Sequence, residues 1–250
     1  MSALTLVHLY ARELDINGDS GNVLALERRA AWRGLAIDVL RIGPGEPLPA
    51  EAHLVHIGSG SSGARAQLHD DVLSRAERLC AWAATGVPFL AVAAGWQLLG
   101  RSVTEPDGSV VAGAGVYPST AALGAERAVG EVAGDSMLGE VAGFENHAAV
   151  TRLDPGVQPL ARLTRGHGNA GASGPQGDAP EGLLAGALVA TGLHGPFLPM
   201  NPAWADRLLQ DAATSAGAVL PAGDARVDAV DALARRSRQA IRRRLGLAAG

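Results

Sequence analysis

The stretch that most constrains the fold of this chain runs from Val87 to Gly100 and reads VPFLAVAAGWQLLG. It opens with an unbroken apolar run, Phe89 to Val92, which is typical of a strand buried on both faces of a sheet. Three small residues follow, Ala93, Ala94 and Gly95, and they suit a tight turn that would crowd any larger side chain. The sequence therefore predicts a buried strand, a tight turn and a helix in immediate succession.

A turn of this kind is typical of a nucleophile elbow, which lifts one side chain above a parallel sheet at the N-terminus of a helix. In an active enzyme with this geometry the lifted residue is Ser or Cys. In this sequence Ala93 occupies that position, and its methyl group has no nucleophilic atom. The single cysteine, Cys80, is predicted in the middle of the preceding helix, where a buried and inert thiol is expected. The chain thus carries the frame of a catalytic site without its reactive atom.

Composition narrows the class of protein further. A chain of 250 residues can bury the core of one α/β domain, and a net charge of −4 gives no basic excess to attract nucleic acid. All 21 basic residues are arginine, so Schiff-base chemistry and a P-loop lysine are excluded. One cysteine allows neither an internal disulfide framework nor a cysteine-based zinc site, and we expect no metal in this chain.

The N-terminal segment, MSALTLVHLY, lacks the basic start and the cleavage pattern of a signal peptide. The apolar stretches at Val87–Leu99 and Leu183–Leu193 are too short and too often interrupted by glycine to span a bilayer. We therefore expect a soluble, cytoplasmic protein without a membrane span.

Predicted strands and helices alternate through the first hundred residues. Strands are expected at Leu4–Tyr10, Ile37–Ile42 and Leu54–Ile57. A helix over Val23–Trp32 is expected to turn four residues towards the core, which are Leu24, Ala25, Leu26 and Ala30. Another helix is expected over Ala64–Ala84. This rhythm with short connections predicts an α/β fold with a mainly parallel sheet covered by helices.

The second half of the chain is predicted to add a β-rich, glycine-rich segment from Ser109 to Val150 and one more buried strand, Leu183–Leu193. His194 follows that strand at the edge where α/β sites form. This position is compatible with a catalytic histidine and with a structural histidine that is hydrogen-bonded in the loop. The triplet Glu145-Asn-His147 is compatible with a simple solvated turn. A helix with Asn201 as its cap and proline at its start is expected next.

The loop Gly58-Ser-Gly-Ser-Ser-Gly63 follows the third predicted strand. Its main-chain N–H groups could face an anion or an oxyanion, although glycine and serine alone favour a flexible connection. At the other end of the chain we assign residues 1–222 to one domain and residues 223–250 to an arginine-rich C-terminal helix. That helix either has a solvated face or docks an anionic partner.

Taken together, these segments resemble the GatD-type subunits in the cobyric-acid-synthase-like branch of the class I glutamine amidotransferases. The ordered stretches that carry the resemblance are NGDSGN at 17–22, WRG at 32–34, the elbow, GFENH at 143–147 and LHGP at 193–196 with Asn201-Pro202. The resemblance covers nearly the whole chain except the arginine-rich tail. It implies a three-layer αβα fold with a mainly parallel central sheet and an additional β-rich segment.

The family hydrolyses glutamine with an elbow cysteine and a histidine, while main-chain N–H groups hold the oxyanion. The resemblance implies that Ala93 stands at the nucleophile position and that His194 is the proton carrier. It places the substrate glutamine and its oxyanion near five further residues, which are Gly58, Gly60, Ala94, Gln97 and Arg127. It also implies a heterodimer with a MurT-like, Mur-ligase-type partner. No cofactor is expected in this subunit, and ATP and magnesium are expected in the ligase.

Two departures from the family pattern bear on activity. The nucleophile is absent at Ala93, and the family's GGGQD loop reads GSGSS at 58–62, which shortens two polar pocket residues to serine. Two departures in one pocket favour a natural loss of glutaminase activity over an engineered Cys-to-Ala change. A pseudo-glutaminase subunit, an engineered form of an active glutaminase and a small-molecule-binding scaffold are the three functions that we carry forward.

Overall fold

A six-stranded sheet forms the centre of the computed structural model, which describes residues 3–248. In sheet order its strands are β11 (Leu183–Ala185), β12 (Leu188–Thr191), β4 (Phe89–Val92), β3 (Leu54–Ile57), β1 (Leu4–Leu9) and β2 (Ile37–Ile42). Neighbouring strands are parallel, except that β11 runs antiparallel to β12 at one edge. The predicted mainly parallel sheet is confirmed.

Helices cover both faces of this sheet. Helices α1 (Ser20–Ala31) and α5 (Pro202–Ser215) pack with Leu4 and Leu6 of β1, whereas α2 (Ser62–Ala84) and α3 (Ala94–Leu99) belong to the apolar cluster on the other face. Successive side chains of a strand point to opposite faces, so one fully apolar strand supplies both cores. The result is the three-layer αβα arrangement.

A second sheet is built around a long hairpin. Its strands are β5 (Ser102–Thr104), β6 (Val110–Ala112), β7 (Ser119–Ser136), β8 (Gly139–Leu153), β9 (Ala161–Arg165), β10 (Ala179–Glu181) and β13 (Leu193–His194). Strands β7 and β8 form the hairpin, and β13 pairs with β8 so that His194 lies opposite Phe144. The β-rich segment therefore lies beside the edge of the central sheet where the candidate site residues are found.

Three details of the sequence prediction are wrong. The triplet Glu145-Asn-His147 is not a solvated turn, because it lies within β8 with Glu145 and His147 buried. Leu183–Leu193 is not one strand, because the chain reverses at Gly186, whose φ of 63° allows the tight turn between β11 and β12. Leu24 points away from the core and is 51% exposed, whereas Leu26 and Ala30 of the same helix are buried.

The arginine-rich helix α6 (Ala225–Arg244) packs against the short helix α4 (Phe197–Met200) and against β7 and β8. Several of its charges pair within the chain. Arg242 lies 3.3 Å from Glu140, and Asp231 accepts a 2.7 Å hydrogen bond from Arg29 of α1. The helix is thus fixed to the rest of the fold, and its role in docking a partner stays a prediction. Between residues 3 and 248, each helix falls short of the length and hydrophobicity that crossing a membrane requires.

Candidate active site

The turn between β4 and α3 is the tight elbow that the sequence predicts. Ala93 has φ 44° and ψ −105°, a conformation that residues with a side chain rarely adopt. Its N–H donates to the carbonyl of Thr191, and its own carbonyl accepts from Gln97, both at 2.9 Å. These bonds hold the strained residue at the carboxyl end of the parallel sheet, where it forms the N-cap of α3.

The elbow packs against the loop that follows β3. The N–H of Gly95 donates to the carbonyl of Gly58 at 3.1 Å. A Cβ on Gly58 would lie 2.2 Å from the carbonyl oxygen of Leu14, and one on Gly95 would lie 2.5 Å from the oxygen of Gly58. Both positions therefore require glycine, because main chains approach each other where a side chain would begin. Gly58 thus contacts the elbow through its main chain.

His194 is buried beside two polar side chains from the loop after β1. Its Nδ1 lies 3.7 Å from Oδ1 of Asp19, and its Nε2 lies 3.4 Å from the amide nitrogen of Asn17. The Asn17 amide also donates to the hydroxyl of Ser59, at 3.0 Å. An amide N–H at Nε2 favours the tautomer that carries its proton on Nδ1, facing the carboxylate. This is the orientation in which an acid positions a histidine as a general base.

Asp19 is fully buried and its other oxygen accepts a 2.7 Å hydrogen bond from the N–H of Ser59. Burial by itself raises the pKa of a carboxyl group, but the imidazole of His194 and the N–H of Ser59 outweigh it and hold the pKa of Asp19 below its ordinary value. Asp19 is therefore a carboxylate at neutral pH.

A cavity of about 610 Å³ opens in front of the elbow. Among the residues expected at the site, six line it, namely Gly60, Ala93, Ala94, Gln97, Arg127 and His194. Gly58 does not line the cavity. The structure thus brings the expected nucleophile position and the expected histidine to one space of a size that holds an amino acid, while the individual roles stay predictions.

Two arginines stand on the far side of this cavity. Arg127 donates to the carbonyl oxygen and to Oδ1 of Asn146, at 2.6 and 2.9 Å, while Arg65 pairs with Glu105. Arg127 lies where the pairing of β7 with β8 is irregular. Both of its hydrogen bonds use one terminal nitrogen, so its other N–H groups can bind a ligand. An anionic group in the cavity would meet positive charge there.

Cys80 does not replace the missing nucleophile. It lies within α2, away from the cavity lining, and its thiol donates to the carbonyl of Ala114 at 3.4 Å. Burial raises the pKa of the Cys80 thiol, which disfavours the reactive thiolate. Between residues 3 and 248, no three side chains of His, Cys, Asp or Glu are arranged to hold a metal ion.

Sequence reasoning missed Asp19 and Asn17 as site residues, although it singled out the loop that carries them. The signal was weak because asparagine and aspartate are also the ordinary residues of turns. What makes them site residues is the approach of this loop to the segment after β12. The side chain of Asn22 accepts from the N–H of Leu198 at 2.8 Å, and Gly21 leaves room for Pro196.

The αβα fold with the elbow and the second sheet is a class I glutamine amidotransferase-like fold. The model of the CobB/CobQ-like glutamine amidotransferase domain matches residues 5–202, and the chain belongs to this family.

Relatives within the family are more specific. The chain is 32% identical over 219 residues to the GatD subunit of lipid II isoglutaminyl synthase (glutamine-hydrolyzing) from Staphylococcus aureus, covering 87% of each chain. It is 26% identical to the GatD subunit from Streptococcus pneumoniae, covering 84% of this chain and 80% of the relative. A solved glutamine amidotransferase from Thermotoga maritima shares the fold, with a TM-score of 0.53 and 14% identity over 96% of this chain and 94% of that one.

Proposed function

We propose that this chain is a GatD-like subunit of an amide-forming ligase complex and that it does not hydrolyse glutamine. Its partner is a MurT-like, Mur-ligase-type protein, which binds ATP and magnesium and activates the acceptor carboxyl group. By analogy with the GatD relatives, the acceptor is the D-glutamate of lipid II. The amine is free ammonia or another small amine, which this subunit receives without generating it.

The observation that carries the proposal is the methyl group of Ala93 at the strained elbow. A covalent mechanism needs a thiol there to form the thioester, and the cavity lining includes no cysteine. Ser59, Ser61 and Ser62 border the same cavity, but Ser59 accepts from Asn17 and Ser61 accepts from the N–H of Ala64 as the cap of α2. Loss of a covalent nucleophile typically costs many powers of ten in rate.

A second function is favoured by the site residues that this chain retains around Ala93. His194 still faces Asp19, and Ala93 still has the conformation of an elbow nucleophile. These features support a glutaminase disabled at one atom, by recent loss or by an engineered Cys-to-Ala change. Such a protein would bind glutamine in the cavity without turnover.

Restoring the thiol separates the two functions. We would assay ammonia release from glutamine by the Ala93→Cys variant, with and without a coexpressed MurT-like ligase. The variant Ala93→Cys/His194→Ala is the matched control, because it carries the thiol without the proton carrier. Glutaminase activity in the single variant alone would support the disabled glutaminase. A folded, partner-bound single variant without activity would support the non-hydrolysing subunit.

Complex formation is tested in the same preparation. We expect the unmodified chain to copurify with the ligase and the complex to amidate its acceptor with ammonium chloride but not with glutamine. Failure to form a complex with any Mur-ligase-type protein would contradict the proposed function in both of its forms.

A further inference from the structure

Beside the elbow there is a second, small gap of about 20 Å³. Ala93, Gln97 and His147 line both spaces, so the gap opens next to the position where the family holds its nucleophile. Its inner wall includes Glu181 and Gly192. A space of this volume accommodates one molecule the size of water.

Glu181 is a buried carboxyl group with one oxygen left over. It is 1% exposed, and its Oε1 accepts from the hydroxyl of Thr191 at 2.7 Å and from the N–H of Gly192 at 2.8 Å. Its Oε2 accepts no hydrogen bond from any residue between 3 and 248. Leaving a buried carboxylate oxygen without a donor is costly, so this atom marks a place for one.

His147 faces the same gap and is 8% exposed. Its Nδ1 lies 3.1 Å from the carbonyl oxygen of Ala149, which can only accept, so Nδ1 donates this hydrogen bond. Within the described chain Nε2 has no hydrogen-bond partner, and it lies 3.8 Å from Oε2 of buried Glu145. A Cβ built on Gly192 would lie 3.6 Å from Oε2 of Glu181 and 3.7 Å from Nε2 of His147, which shows that both atoms face one point.

Two polar atoms without a hydrogen-bond partner, Oε2 of Glu181 and Nε2 of His147, therefore face the gap, which Gln97 and Thr151 also line. The donors of two further lining residues are engaged elsewhere, since Trp96 donates to the hydroxyl of Ser119 and the Asn169 amide donates to the carbonyl of Gly182, both at 2.9 Å. Water brings two donors and two acceptors, whereas ammonium brings four donors and a positive charge in nearly the same volume. Sodium and potassium would gain little from an imidazole nitrogen.

We propose that this gap is an ammonium-binding site formed by Glu181 and His147. The inference rests on the proposed use of free ammonia, because the site would collect from solution the molecule that the absent thiol no longer releases. Glu181 can then take one proton, so that ammonium and a carboxylate become ammonia and a carboxylic acid. Burial raises the pKa of Glu181, which makes it a better proton acceptor than an exposed glutamate.

The site is tested on the full chain alone, with ¹⁵N-labelled ammonium chloride as the probe. We would follow ¹⁵N line broadening in a titration and compare thermal unfolding in ammonium chloride with that in sodium chloride at equal ionic strength. The unmodified protein should bind ammonium and gain stability from it relative to sodium. The Glu181→Gln variant, which keeps the size and removes the charge, should bind at least about tenfold more weakly.

Glu77→Gln is the matched control, because Glu77 is exposed on α2 and should leave ammonium binding unchanged. If Glu181→Gln does not fold, His147→Leu removes the second polar group of the site instead. Ammonium binding by the unmodified protein tests the proposal in either case. Ammonium that acts no differently from sodium, or binding that survives Glu181→Gln in full, would overturn the proposal. Since no ligase is needed, a failure here is distinct from a failure to form the ligase complex.

Discussion

Oδ1 of Asp19 lies 3.7 Å from Nδ1 of His194, and both side chains are buried. One comes from the loop after the first strand and the other from the segment after β12. The pair orients an imidazole towards a cavity whose nucleophile position is a methyl group. A buried carboxylate and an imidazole are thus held together beside the cavity, although the position expected for the nucleophile carries only a methyl group.

Asp19 should make stability depend on pH in a defined direction. Because folding lowers the pKa of its carboxyl group below the ordinary 3.8, the stabilisation is present above that value and is lost as the pH falls through the folded pKa. We expect Asp19→Asn to lower the free energy of unfolding by about 2 kcal/mol at pH 7, and the difference from the unmodified chain should shrink below about pH 4. Urea unfolding across this range measures it, with exposed Asp38→Asn as the control. A difference that does not change with pH would contradict the assignment.

Because the main chain at Ala93 is strained, substitution by glycine should not lower the stability of the protein as it does elsewhere. A residue with a side chain in such a conformation costs about 1–3 kcal/mol, and glycine relieves most of it. We expect Ala93→Gly to be as stable as the unmodified chain or more stable. Ala91→Gly, two residues earlier in the buried strand, should lose about 1–2 kcal/mol. Equal losses at both positions in urea unfolding would argue against strain at the elbow.

The close approach at Gly58 predicts a large effect of a single methyl group. Because a Cβ there would lie 2.2 Å from the oxygen of Leu14 and 2.9 Å from Cβ of Asp19, Gly58→Ala should destabilise the fold by about 3 kcal/mol or more. Gly63→Ala, in the first turn of α2 with open space around it, should instead stabilise by about 0.5–1 kcal/mol. Chemical denaturation of both variants is the measurement, and a neutral Gly58→Ala would refute the geometry.

Arg29 connects three helices through two carboxylates. It is buried in α1 and bonds Asp206 of α5 and Asp231 of α6, each through contacts under 3 Å. Removing it leaves Asp231 without this partner, while Asp206 keeps its pair with Arg33 at 2.9 Å, and we expect Arg29→Ala to cost about 2 kcal/mol. Hydrogen exchange should also become faster in α6.

The neighbouring Arg28 is exposed and supplies the control. Arg28→Ala should change stability by no more than about 0.5 kcal/mol. If Arg29→Ala left exchange in α6 unchanged, the helix would be held by its apolar side chains alone.

Much of the central sheet was predictable because a strand buried on both faces leaves an unbroken apolar run. The same signal misled at Leu183–Leu193, where an apolar hairpin and an apolar strand have the same hydrophobicity and one glycine is the only trace of the turn. Leu24 was misplaced for a related reason. A leucine between buried neighbours looks like a core residue until the packing partners of the helix are known.

The site was predictable in part. Ala93 and His194 follow strands of one sheet, and parallel strands end at a common edge, so their meeting follows from topology. Asp19 and Glu181 could not be placed in this way. Their positions depend on the path of a loop and on the register of a second sheet, and neither leaves a periodic pattern in the sequence.

The loop that carries Asn17, Asp19 and Asn22 is made early in synthesis, yet each of these side chains completes its contacts only with the segment from His194 to Leu198. Until that segment has left the ribosome, the carboxylate of Asp19 and the two amides lack the partners that this segment supplies. The joint between the two segments therefore exists only in a chain that has been translated far enough and has closed its sheet. A ligase that recognised this joint would select finished subunits and reject incomplete ones, whether or not the subunit performs any chemistry.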